Sequence, residues 1–169
     1  MTWSGIRSRL EKECLAKKLH GRIRFFCTSD PVIETECVEV YFDGKAFFRT
    51  TQNKYWDKWW ENKNKYADKM KIDELYRFID KESAYSGCFL IRHFREAAMN
   101  YMNQPIENSL DSESPLVRMF AVLDRRVGKR RLVKLAERID SESEWLRTFY
   151  IIRLRAEGIK YAESISVEI

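Results

Sequence analysis

Six cations crowd one short stretch: Arg125, Arg126, Lys129, Arg130, Arg131 and Lys134 fall within ten residues that hold no acid. Around a turn at Gly128 such side chains could fan out toward a phosphate backbone, each neutralised phosphate adding a salt-dependent increment of affinity. A second reading stays open. Arg and Lys stems cover apolar surface, cations suit the C-terminal end of a preceding helix, and Asp124, Glu137 and Asp140 are near enough in sequence to pair with them.

The other concentrated signal is Lys54-Tyr55-Trp56-Asp57-Lys58-Trp59-Trp60. Exposed rings beside cations can stack on unpaired bases. Large rings this dense more commonly anchor a core or a protein interface, and Tyr55, Trp56, Trp59 and Trp60 are read here as the candidate protein interface.

Catalytic chemistry finds little to stand on. The two histidines, His20 and His93, lie in different segments, and the four cysteines, Cys14, Cys27, Cys37 and Cys88, never adopt C-x-x-C spacing. Phosphate-cradling glycine loops and the G-x-S-x-G elbow are missing from the sequence. Carboxylate pairs such as Asp73-Glu74 and Glu142 with Glu144 sit in charged surroundings where nothing separates their pKa values. No catalytic residue, metal site or cofactor is predicted, His93 is read as a packed core histidine, and the reading leans away from an enzyme.

These groups need a scaffold, and 169 residues with 44% hydrophobic content suffice for one domain. The expectation is a single domain over 1–169, with an α/β portion at 1–52 and a helical portion at 53–169. The early cations Arg7, Arg9, Lys12, Lys17, Lys18, Arg22 and Arg24 come without an apolar signal region. No apolar window is long enough to span a bilayer. The irregular cysteines suit reduced thiols, so a cytoplasmic protein is expected.

Apolar residues at three- and four-residue steps predict a first helix over Thr2 to Leu19. Alternation then predicts strands at Arg22 to Thr28, Glu36 to Phe42 and Ala46 to Thr50, with a loop around Asp30-Pro31. A three-residue turn at Asp43-Gly44-Lys45 would pair Val40 with Phe48 and Glu39 with Arg49; a two-residue turn would set Glu39 against Phe48. Downstream helices must cover the sheet. Candidates are the face carrying Tyr55, Trp56, Trp59, Trp60, Tyr66 and Met70, a segment at Ile72 to Ile79, and a central helix at Cys88 to Met102.

Farther on, Asp111-Ser112-Glu113-Ser114 recurs as Asp140-Ser141-Glu142-Ser143. At the same offset Arg118 matches Arg147, Phe120 matches Phe149 and Arg126 matches Arg155. Each copy begins like a capped helix. The predicted fold class is α+β: an N-terminal helix and a small antiparallel sheet of about three strands, packed by a helical C-terminal half resembling helical-hairpin repeats. Weak alternation at Ser164 to Ile169 suggests a short edge strand or a frayed end.

The run from Pro115 to Leu132, PLVRMFAVLDRRVGKRRL, together with Trp3-Ser4, Gly21-Arg22-Ile23 and Asp43-Gly44-Lys45, resembles a family of small uncharacterised bacterial proteins with no assigned activity. The resemblance implies a bacterial, cytoplasmic origin and no particular chemistry. The functional expectation is therefore a non-enzymatic protein-binding or regulatory module. Its alternative is a nucleic-acid-associated protein using the basic turn. The expected partner is another protein or nucleic acid and no membrane, with the oligomeric state left open.

Overall fold

A computed structural model describes residues 1–30 and 35–160 of the chain. It begins with helix α1 (Trp3–Arg9), whose cap residue Thr2 accepts the Gly5 N–H on its hydroxyl. The helix widens into a π-turn at Leu10–Cys14 and ends there, short of the Leu19 expected from periodicity. Tertiary pairing overrides the helical pattern. Leu15 forms an antiparallel bridge with Asp124, the Ala16 N–H donates to the Leu123 carbonyl at 2.9 Å, and the Arg125 N–H donates to that of Cys14 at 2.9 Å.

Three antiparallel strands follow in the order β1 (Ile23–Asp30), β2 (Thr35–Phe42) and β3 (Lys45–Thr51). Val40 pairs with Phe48 and Glu39 with Arg49, the register expected, but the route to it differs. Phe42 pairs with Lys45, so the turn has two residues, with Asp43 at φ 51° and Gly44 at φ 82°. Both sit in the left-handed region a two-residue hairpin turn requires. A β-bulge at Phe47 then restores the charge pairing that a plain two-residue hairpin would have spoiled. The bulge also lets consecutive rings reach the interior: Phe47 and Phe48 lie 4.8 and 5.8 Å from Phe149.

The helices are α2 (Gln52–Tyr66), α3 (Ile72–Tyr85), α4 (Ile91–Met102), α5 (Ile106–Leu110), α6 (Pro115–Leu123), α7 (Lys129–Ala136) and α8 (Glu144–Glu157). The fold class is α+β, as expected. Every residue of α6 is buried, which makes α6 the centre of the molecule in place of the expected Cys88 to Met102 helix. That helix, α4, starts only at Ile91, because Gly87 takes a positive φ and Leu90 is extended.

The sheet's inner face, with Ile23, Phe25, Val38 and Val40, meets Phe94 of α4, Phe120 of α6 and Phe149 of α8 in one cluster. The aromatic helix α2, one of the three candidates for that cover, touches β2 and β3 but stays out of this cluster. It pairs with α3 as a hairpin whose small interior of Tyr55, Leu75 and Ile79 lies outside the main cluster. The cause is chemical: α2 is too polar to enter the main core, whereas α4, α6 and α8 bring phenylalanines.

The two D-S-E-S segments share a device. Ser114 and Ser143 are the N-caps of α6 and α8, and an arginine four residues on folds back to the segment before it. Arg118 donates to the Ser112 carbonyl, and Arg147 donates to those of Glu142 and Asp140. The glutamates part ways: Glu113 is exposed and paired with Lys81, while Glu142 is buried against Arg118. No helix among the described residues is long and apolar enough to cross a membrane. The proposed loop at Pro31 and the weak strand at Ser164 to Ile169 lie outside the described residues.

Candidate interaction surfaces

The basic segment forms the turn from α6 into α7 and the first two turns of α7. Arg126 is paired although it stays exposed: its backbone N–H, Nε and an Nη all donate to the buried Asp124 carboxylate, which also accepts the Tyr101 hydroxyl. Burial and the Asp124 charge push the Tyr101 hydroxyl far above the ordinary tyrosine range, so it stays a donor. Arg131 pairs with Glu107 at 2.9 Å. The remaining four, Arg125, Lys129, Arg130 and Lys134, are exposed and have no ion-pair partner among the described residues.

The dipole argument for a relaxed turn holds for Arg125 and Arg126 after α6 and for Lys134 in the last turn of α7. Lys129, Arg130 and Arg131 occupy the first turn of α7, the positive end of its dipole, with no acid among them. The cap, Gly128, offers no side chain. Cations here are electrostatically misplaced within their own helix. Sequence reasoning also missed a neighbour. The backbone contacts of residues 14–16 with 123–125 lay the segment that leads into the exposed Lys17 and Lys18 along the end of α6. Lys18 reaches Glu157 at 3.7 Å, Glu157 accepts from the buried Arg153, and Arg153 donates to the Val127 carbonyl at 3.0 Å. No local pattern could have announced a contact between segments this far apart in the chain.

The aromatic hairpin divides its residues. Tyr55 is fully buried and donates to Asp80 at 2.6 Å. Trp56 and Trp60 are 37% and 50% exposed, and Trp59 is half-buried between them. From α3, Tyr76 packs on Trp59 at 5.5 Å while remaining 42% exposed, and Ile72 is 58% exposed. Lys63 lies over Trp59 and Trp60 at 5.2 and 4.6 Å. Ile72, Leu75, Tyr76 and Ile79 are spaced for one helical face, but the hairpin buries Leu75 and Ile79 and leaves Ile72 and Tyr76 exposed, Tyr76 against Trp59.

Catalytic groupings stay thin. Among the described residues no three His, Cys, Asp or Glu side chains group closely enough to hold a metal ion. His20 contacts the Leu15 carbonyl at 2.7 Å. A cleft of about 330 Å³ between α3, α4 and the start of α6 is lined by His93, Asp80, Glu96, Ala97 and Leu116 among others. Burial lowers the His93 pKa, and both of its ring nitrogens face donors, the Leu90 N–H at 3.4 Å and Arg92 Nε at 3.1 Å. A neutral imidazole has one lone pair, and here it is committed. The thiols are poor nucleophiles as well: burial raises Cys14 and Cys88 and pushes Cys27 up to about 12.

Among known proteins, one family model matches, the SF0329 protein family, over residues 2–154. No curated protein and no solved structure matches the chain.

Proposed function

The chain belongs to the SF0329 protein family, and on that premise we propose that it is a non-enzymatic protein-binding module anchored by the aromatic face of the α2–α3 hairpin. The observation that carries this reading is the exposure of Trp56, Trp60, Tyr76 and Ile72 on one hairpin whose interior lies outside the main core. Rings kept half in water contribute little to folding. At an interface, buried tryptophan and tyrosine supply most of the binding energy. The half-buried Trp59 and the stem of Lys63 hold these rings in place, so a partner meets a preorganised surface. Four free cysteines support a reducing compartment, the cytoplasm.

The test is affinity capture with the full chain and with Trp56→Ser/Trp60→Ser, each checked for an unchanged melting temperature, beside sedimentation of the free protein. A partner retained by the parent chain and lost by the variant supports the reading. Equal capture by both, or none by either, refutes it.

A further inference from the structure

We propose that the basic face formed by the α6–α7 turn and the first two turns of α7 binds the phosphodiester backbone of double-stranded nucleic acid without reading its sequence. Charge complementarity carries the argument. Arg125, Lys129, Arg130 and Lys134 are exposed and unpaired among the described residues. Of the nearby acids, Asp124 is taken by Tyr101 and Arg126, Glu107 by Arg131, Asp111 by Arg138, and Glu157 by Arg153 and Lys18, which leaves the exposed Glu137 three residues after Lys134. Lys129 and Arg130 gain nothing from their own helix, whose positive end they crowd. A bound phosphate would relieve that crowding and meet the outward N–H groups at the uncapped start of α7.

The class of nucleic acid follows from what the face lacks. Single-strand binders add rings on which bases stack, and the exposed rings among the described residues, Trp56, Trp60 and Tyr76 on the α2–α3 hairpin and Phe26 on β1, lie outside the basic turn. The ring nearest the turn, Tyr101, is 1% exposed and spent on Asp124. Cations without rings suit a duplex, whose paired bases are already stacked. The turn is held in shape by the Asp124 hydrogen bonds and by Arg153 beneath Val127, so its cations project from a fixed base.

The experiment measures binding of a 24-base-pair DNA duplex of arbitrary sequence by fluorescence anisotropy between 50 and 200 mM salt. With four phosphate contacts, affinity falls about 100-fold across that range, and Arg125→Gln/Arg130→Gln lowers the log–log salt slope by about 2. Trp56→Ser/Trp60→Ser leaves duplex binding unchanged, which separates this proposal from the protein-binding reading. Four results overturn it: no binding at 50 mM salt, an unchanged slope in the arginine variant, tighter binding of a single strand of equal length, or equal binding to vesicles containing 30% phosphatidylserine.

Discussion

Glu142→Ala would leave the Arg118 guanidinium buried without its counter-charge. Both side chains are nine-tenths or more buried, and the pair is bidentate, Nε to Oε1 at 2.9 Å and Nη2 to Oε2 at 2.7 Å. The Tyr150 hydroxyl donates to the same carboxylate at 3.2 Å and would also lose its acceptor. Removing one partner of a buried pair costs about 3–5 kcal/mol, because the survivor stays desolvated. In a domain of this size each kcal/mol lowers the melting temperature by about 2–4 °C, so the expected drop is about 6–20 °C. Arg118→Met/Glu142→Leu removes both charges and fills the space with apolar atoms, so it should be closer to the parent than Glu142→Ala is. Urea unfolding of the parent, Arg118→Met, Glu142→Leu and the double variant gives the coupling energy directly. The reasoning fails if the double variant loses as much as the two single variants summed, or if Glu142→Ala costs under about 1 kcal/mol.

Two further outcomes follow from geometry and charge. Gly87 and Gly44 both have positive φ, 74° and 82°, but a Cβ at Gly87 would stand 3.0 Å from the Trp145 ring while one at Gly44 meets nothing within 4 Å. Gly44→Ala should cost about 1–2 kcal/mol in urea unfolding and Gly87→Ala clearly more; equal costs would show that the indole gives way freely. For His93, burial lowers the folded pKa below its ordinary 6.5, so the unfolded chain takes up its proton first as pH falls. Its contribution is therefore complete above about pH 6.5 and declines below it. His93→Gln should flatten stability between pH 6.5 and 5 relative to the parent, and parallel curves would remove His93 from the account.

Local patterns revealed much of the scaffold. Alternation placed all three strands to within a residue or two, because one face of the sheet must be apolar. The hairpin register was legible from its side-chain pairs, since Glu39 against Arg49 and Val40 against Phe48 outweigh other pairings. The bulge was not legible, because an extra residue in the strand and an extra residue in the turn give the same register. The end of the first helix was hidden for a different reason. Leu15 and Ala16 fit the helical face well, and only the distant 123–125 backbone draws them out of it. For the surfaces, the sequence located the cations and the tryptophans. It could not show that Arg126 and Arg131 are paired within the chain, that Tyr55 is buried, or that Lys18 reaches Glu157.

The pairing of residues 14–16 with 123–125 also sets an order on synthesis. A nascent chain emerging N-terminus first can form the β1–β2–β3 meander from local contacts. The segment after the first helix must wait, its backbone donors and acceptors unmet by protein, until α6 has left the ribosome. Until then α1 and the inner side of the sheet have Phe94 of α4 to pack on but lack Phe120 of α6. Folding of this chain is therefore gated by the arrival of α6, and a ribosome pausing before Asp124 would hold out an incomplete core to whatever chaperone is near.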